Sequence, residues 1–423
     1  MSGNFDINQL SEHLFRHEAG RIVAVLTKIF GTENLDLSED VVQETFISAM
    51  QVWTLKGVPD NPSGWLFRVA KNKAIDVLRK NKFSKQIDFS DPERILLKSE
   101  YTLNLALDKL WREDEIEDDL LRMMFACCHP ELSVENQITL ILKTLCGFST
   151  AEIAHAFLTS EDTVSKRLYR TKNFFRDKKI KPEFPGNNKL GASIEAVLHT
   201  IYLIFNEGYY ATHSNEVVRK DLIDQAIYLC RLLADNVHTQ LPEVNAAMAL
   251  MCFHAARLKS RLTKSGDIIL LADQDRSQWD KTLVSAGNDY LNKAASGNKI
   301  SSYHLEAAIA YEHCTAPTFA RTNWRNILNY YNILATINPN PVVMMHRLTA
   351  VLKAEGATAA LQEIEASTHK SEWEKSYLFH CLLGDVYADI APQQAKASYE
   401  TAIEMTSSKK EQQLLTRKIS ALG

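Results

Sequence analysis

Gly147 to Arg176 reads GFSTAEIAHAFLTSEDTVSKRLYRTKNFFR. Ser149 followed by Glu152 has the spacing of a capping box, in which two free N–H groups at a helix start are satisfied reciprocally. Ile153, Ala154 and Phe157 give that helix a narrow apolar stripe, and a short turn is expected at Leu158-Thr159. Thr159 or Ser160 can cap a second helix, with Glu161 and Asp162 in its first turn, where the helix dipole favours carboxylates. Val164 and Leu168, spaced i and i+4, predict the side that packs on the first helix. The opposite face carries Lys166, Arg167, Arg170 and Lys172, with Thr163 and Tyr169 among them. The pattern predicts a helix-turn-helix. A basic, hydrogen-bonding outer face suits entry into a DNA major groove. The same residues would also make an ordinary surface helix with a solvated charged face.

Composition frames this reading. A chain of 423 residues, 45% hydrophobic and 24% charged, has room for two to four domains and a sizeable core. Glycine (15) and proline (11) are sparse, which favours helices. No apolar run is long enough to span a membrane, and MSGNFDINQL lacks the layout of a signal peptide, so no membrane partner and a cytoplasmic location are expected. The seven cysteines are odd in number and form no CxxC pair, so neither a disulfide framework nor a zinc site is indicated. Cys127-Cys128-His129 is a local cluster with no second ligand pair at zinc spacing. No metal and no cofactor are expected.

The formal net charge of −4 argues against a generic nucleic-acid binder, but the charge is segregated. Arg68, Lys71, Lys73, Arg79, Lys80, Lys82 and Lys85 face Asp76 alone, and eight cations between Lys166 and Lys181 face Asp177 alone. Acid is gathered elsewhere, as at Glu113 to Asp119. Two separated basic patches predict two DNA contacts in one chain.

Upstream, Leu10 to Phe30 reads as a helix ended by Gly31. A second helix is expected from Ser38, with Val41, Val42, Thr45, Phe46, Ala49, Met50 and Trp53 as core and an outer face of Glu39, Asp40, Gln43 and Glu44. After the loop Lys56 to Asn61, Asn61 can cap a third helix with Pro62 at its first position. There Leu66, Val69, Ala70, Ala74, Val77 and Leu78 should turn inward, while Trp65, Arg68, Asn72, Asp76 and Arg79 share another face. An aromatic, an amide and arginines on one face suit a DNA backbone and unstacked bases, although Trp65 could equally be core.

Taken together, SEDVVQETFISAMQVW, PSGWLFRVAKNKAIDVLRKNK and the helix-turn-helix resemble a sigma factor of the sigma-70 family, extracytoplasmic-function type, over roughly residues 10–182. The resemblance implies an all-α protein that binds RNA polymerase core and directs promoter-specific initiation, without chemistry of its own. Residues 1–86 would be region 2, 87–112 a linker and 113–182 region 4. Asp40, Gln43, Glu44 and Phe46 match the segment that docks on the β′ clamp helices, and the family also engages the β flap. Asn61, Trp65, Arg68, Asn72 and Arg79 match the −10 element site, where capture of a flipped base offsets the cost of unstacking. Thr163, Lys166, Arg167 and Arg170 match the −35 recognition helix.

A minimal family member would stop near residue 182. The further residues resemble the TPR-like extension of one sigma subgroup, through AVLHTIYLIFNEGYYATHS, ALMCFHAARLKSR and LLADQDRSQWD. Residues 187–290 read as a helical segment and 291–423 as TPR-like hairpins with a concave face for a protein or peptide partner. Asn206 to Tyr210 is expected to end the first extension helix. Asp273, Asp275 and Arg276, near His254, form a candidate site that is either a ligand constellation or a set of capped turns. By family analogy the extension replaces a separate regulator. Two rivals remain at this point: a promoter-specific repressor or activator independent of polymerase, and an enzyme with a deep site near Asp273, Asp275 and His254.

Overall fold

A computed structural model of the chain describes residues 7–81, 87, 97, 100–157, 159–210, 218–263, 269–406 and 408–422. Lys82 and Lys85, Asp91-Pro92 in the linker, Leu158 in the expected turn and residues 211–214 of the extension motif lie outside them. Among the described residues the regular elements are helices, and none is long and apolar enough to cross a membrane. They fall into two compact units, residues 1–233 and 234–423.

In the first unit, α1 (Ile7–Phe30) buries Ile22, Val25, Leu26, Ile29 and Phe30 completely. It stops where Gly31 turns to φ +93°, a conformation L side chains rarely adopt. α2 (Leu35–Lys56) begins ahead of the expected Ser38, which lies buried inside the helix and does not cap it. α3 (Pro62–Asn81) opens as expected, with Asn61 Oδ1 accepting from the Gly64 N–H at 2.8 Å. α1 packs against α2 and α3. Val41, Val42, Phe46, Ala49 and Trp53 of α2 and Leu66, Ala70, Ala74 and Leu78 of α3 are buried, whereas Val69 and Val77 are half-buried. Met50 does not belong to this core. It is 42% exposed, because one residue beyond Ala49 is a step of about 100° round the helix.

After α4 (Glu100–Leu110) and α5 (Glu113–Cys127), α6 (Val134–Leu140) runs into a π-helical turn, Ile141–Leu145. Gly147, at φ +67°, leads to α7 (Thr150–Ala156) and α8 (Glu161–Lys178). This second module lies directly on the first. α1 packs against α5 and the π turn, and Gly20 makes the approach possible, since a Cβ there would overlap the Leu145 backbone carbonyl. Across the seam, Arg16 pairs with Glu152 and lies over the Phe148 ring at 4.2 Å. Lys28 Nζ reaches Asp119 at 2.8 Å, and the Thr32 hydroxyl donates to the Ile180 carbonyl.

α9 (Asn187–Tyr210) packs on α5 and α6 through a buried network. The Thr200 hydroxyl bonds Gln137 Oε1 at 3.1 Å and accepts from the Cys128 thiol at 3.7 Å. The helix ends at Tyr210, the last residue of the stretch expected to close it. Gly208 sits inside it, where a Cβ would come within 2.8 Å of the Arg219 carbonyl, so the small residue lets the start of α10 (Lys220–Asp235) approach. Gln225 Nε2 then donates to the Arg16 carbonyl of α1 at 3.5 Å.

The second unit is a succession of helices, each packed on its neighbours: α11 (Pro242–Ala256), α12 (Lys281–Ala294), α13 (Ser302–Thr315), α14 (Trp324–Ile337), α15 (Pro341–Glu355), α16 (Ala357–Ala366), the short α17 (Lys370–Trp373), α18 (Tyr377–Tyr387), α19 (Pro392–Met405) and α20 (Lys409–Ser420). Asn338 to Pro341, a stretch of alternating asparagine and proline, separates α14 from α15. Asn340 Oδ1 accepts from the Val343 N–H at 2.9 Å, with Pro341 in the first turn. In the α18–α19 pair, Gly384 lies against the ring of Tyr399, whose hydroxyl donates to Asp385 Oδ1 at 2.6 Å. A methyl at Gly384 would overlap that ring, so Gly384→Ala should destabilise this hairpin by about 1–3 kcal/mol despite its better helix propensity. A fall of several degrees in the melting transition checks this, and an unchanged transition would refute it.

Candidate nucleic-acid interface

The helix-turn-helix is built by its caps. Ser149 Oγ accepts from the Glu152 N–H at 3.1 Å and the Ser149 N–H donates to Glu152 Oε2 at 2.8 Å, completing the capping box. Burial would raise the Glu152 carboxyl, but the Ser149 hydrogen bonds and Arg16 hold it below the usual range. Ser160, rather than Thr159, caps α8 by accepting from the Thr163 N–H at 3.1 Å. Val164, Leu168, Thr171 and Phe175 are buried.

What α8 leaves outward is cationic and aromatic. Lys166 and Arg170 are exposed, Tyr169 is 68% exposed, and Thr163 and Arg167 are half-exposed. Lys166 is steadied by Asp162 at 2.6 Å, one turn away. Lys172, grouped with this face by sequence, instead points to the start of α2. Its Nζ reaches Asp36 at 2.6 Å and Glu39 at 2.8 Å, and Arg176 meets Asp36 at 3.7 Å. Burial pushes the Lys172 ammonium down, but Glu39 and Asp36 more than offset it and its pKa is raised.

α3 brings Arg68, Asn72 and Arg79 to the surface together. Asn61 is exposed at its cap. Trp65 is half-buried, edge-on to Trp53 with centroids 5.4 Å apart, so one side is anchored and the other accessible. On α2, Asp40, Gln43 and Glu44 are exposed, whereas Phe46 turns inward against Phe15 at 4.9 Å and supports that face from beneath. Sequence reasoning missed the apolar continuation of the face: Ile47 is 54% and Leu55 85% exposed, alongside Met50. The signal was the spacing of three and four residues running on from Asp40, Gln43 and Glu44.

The extension motif does not converge on a reaction centre. Asp275 is exposed, and its Oδ1 accepts from the Ser277 N–H at 2.9 Å and hydroxyl at 2.7 Å; Asp273 is exposed as well. Arg276 lies over the Trp279 ring at 4.4 Å and donates to the His313 and Ala316 carbonyls at 2.5 and 2.9 Å. Trp279 Nε1 donates to Ser260 Oγ at 2.8 Å, and Asp280 caps α12. Residues 275–280 thus fasten three segments together. An open cleft of about 440 Å³ is lined by Arg276, Trp279, Lys281 and Cys314 but by neither aspartate. His254 is bonded to Arg257 at 2.9 Å.

Comparison with known proteins agrees with this arrangement. The chain matches the family models of sigma-70 region 2 over residues 14–84 and sigma-70 region 4 over residues 122–174. A family of unknown function (DUF6596) matches residues 193–295. The ECF RNA polymerase sigma factor SigL of Mycobacterium tuberculosis is 32% identical over 133 residues, 31% of this chain and 68% of that one. An uncharacterized protein of Rhizobium meliloti (strain 1021) is 32% identical over 379 residues, 89% of this chain and 88% of the relative. No solved structure matches. The chain belongs to the extracytoplasmic-function group of the sigma-70 family: it is an alternative sigma factor, which associates with RNA polymerase and promoter DNA to direct transcription initiation.

Two half-buried imidazoles of the second unit, His254 and His313, predict an acid sensitivity. Burial, helped by Arg257 and Arg276, lowers His313 to about 3. Burial with Arg257, Arg261 and His313 lowers His254 well below its ordinary value. A depressed histidine contributes stability that is full above its unfolded pKa near 6.5 and is lost as pH falls below it, because the unfolded chain binds the proton first. Going from pH 7.5 to 5.5 should therefore cost this unit about 1.4 kcal/mol per imidazole. Melting across that range checks it. His313→Asn should remove about 1.4 kcal/mol of that dependence, and an unchanged slope would refute the assignment.

Proposed function

We propose that this sigma factor contacts polymerase and promoter through three faces. The outer face of α2, with Asp40, Gln43 and Glu44 followed by Ile47, Met50 and Leu55, docks on the β′ clamp helices, and Phe46 holds that face from behind. α3 and its cap, with Asn61, Trp65, Arg68, Asn72 and Arg79, receive the −10 element. Thr163, Lys166, Arg167 and Arg170 of α8 enter the major groove at the −35 element, and region 4 engages the β flap. The corresponding division is region 2 at 1–86, a linker at 87–112 and region 4 at 113–182. The observation that carries this reading is α8 itself: a buried inner row at Val164, Leu168, Thr171 and Phe175 leaves an outer row of cations and Tyr169 in solvent.

The extension supplies regulation in place of a separate protein. Its helical hairpins from residue 291 onward take a protein or peptide partner. Arg276 holds the 275–280 loop in shape, with Asp273 and Asp275 at its surface, and this serves regulation through structure. The protein acts in the cytoplasm and carries out no catalysis itself.

Purified polymerase core with a promoter library tests the assignment. Transcripts that depend on the protein are expected, and their absence together with absent core binding would sink it. Comparison of the full chain with one ending after Asp235 should show different activity; identical activity under all conditions would remove the regulatory role. For Arg170, contact with phosphate alone predicts that Arg170→Ala lowers the salt slope of binding by about 0.9 without changing preference. Contact with a base predicts relaxed preference at one position by about 1–3 kcal/mol.

A further inference from the structure

We infer that the cleft between the 275–280 loop, the start of α12 and the end of α13 binds a small organic carboxylate with a flat apolar body, and that the extension takes its signal there. The binding clause stands on the cleft alone, and the signalling clause rests on the regulatory role proposed above.

The walls divide by chemistry. Arg276 and Lys281 supply two cations, and Trp279, Val284, Cys314 and Pro317 an apolar surface. At about 440 Å³ the space falls in the range of small-molecule clefts, which pair a mostly apolar lining with a few placed polar groups. Neither cation makes an ion pair among the described residues, and no described acid lines the cleft. Arg276 Nη1 is held by the His313 and Ala316 carbonyls, which orient the guanidinium and leave its charge unneutralised. Its Nη2 is buried with no hydrogen-bond partner among the described residues. Burial lowers the Arg276 pKa and Arg257 lowers it further, with Cys314 opposing, so the guanidinium stands in a field that an anion would relieve.

The neighbouring acids are already engaged. Asp275 Oδ1 accepts from the Ser277 N–H and hydroxyl, and Asp280 Oδ1 from the N–H groups of Thr282 and Leu283 at 3.0 and 3.2 Å. Lys281 opens α12, whose N-terminal end adds to the positive field. An inorganic anion would leave the apolar wall bare, and a neutral ring would leave both cations unpaired. A carboxylate on a ring answers both, its two oxygens serving the guanidinium and the ammonium. The placement also gives such a ligand a lever. Trp279 Nε1 holds Ser260 beyond the end of α11, Asp280 caps α12, and Arg276 grips the end of α13. A ligand bridging Arg276 and Lys281 ties the start of α12 to the end of α13 and stiffens the joint of three helices.

The test uses the full chain without polymerase. Benzoate, phenylacetate and indole-3-acetate are the probes, indole-3-acetamide is the uncharged control, and acetate is the anion without a ring. Calorimetry should show half-saturation at or below about 1 mM for at least one ring carboxylate, and binding roughly 10-fold weaker for the amide and for acetate. The same carboxylate should slow alkylation of Cys314, followed by peptide mass spectrometry, but not that of Cys381, the other half-buried thiol. Lys281→Gln should weaken binding by about 2- to 5-fold. Val284→Asp, which sets a carboxylate in the wall, should weaken it by more than ~10-fold with helix content unchanged. Lys293→Gln, in the last turn of α12, should bind as the wild type does. No binding of any ring carboxylate at about 10 mM, or equal binding of acid and amide, would overturn the site. Promoter output with polymerase core, measured with and without the bound carboxylate, reads the signal. A changed output supports the signalling clause, and an unchanged one overturns it. If no transcripts form in either case, the sigma assignment falls and the signalling clause with it, while the binding site is still decided by calorimetry.

Discussion

The contact on which the first unit depends is the approach of α1 to the π turn, where Gly20 lies under the Leu145 carbonyl. A π turn inserts an extra residue into a helix and swings the following chain outward. Here it aims Cys146, Gly147 and Phe148 at α1 and so sets where the capping box of α7 begins. Glu152 then has two roles. It closes the cap of its own helix and also pairs with Arg16 on α1. The element that starts the helix-turn-helix is thereby tied to α1.

Charge in this chain works by placement rather than by sum. A net charge of −4 would repel DNA if spread evenly. Instead, buried Asp119, half-buried Glu39 and exposed Asp36 take up lysines where the two modules meet, and α8 and α3 keep other cations on outer faces. The cost shows at Asp119, where burial raises the carboxyl even though Lys28 and Arg122 both pull it down. An acid held at that cost gives little net stability and serves position instead.

Local features of the fold were legible in the sequence. The capping box, the Asn61 cap with Pro62 and the inner row of α8 all follow from spacing within one or two turns. What was not legible is long-range. Lys172 belongs to the basic face by periodicity, yet its partners lie 136 and 133 residues earlier in the chain. Phe46 reads as part of a docking motif, but the packing of Phe15 against it decides its direction. Met50 failed for a simpler reason: it stands about 100° round the helix from Ala49, beyond the edge of the buried face. The 275–280 loop resembled a site because its residues are polar and close together, and only the distances show that Asp275 is bonded within the loop and Arg276 Nη1 to neighbouring carbonyls.

The same long-range contacts change what the extension is. By sequence it begins after the sigma regions, near residue 187, yet α9 completes the hydrogen bonding of Gln137 and Cys128 and buries Ile194, Val197, Leu198, Ile201 and Phe205. A chain cut at Pro182 would bare the opposing surface of α5 and α6 and leave the Gln137 amide without its Thr200 contact, an exposure that costs stability whatever it does to regulation. The boundary that separates the two effects therefore lies after α10. A sigma factor whose extension supplies part of its own core cannot lose that extension cleanly.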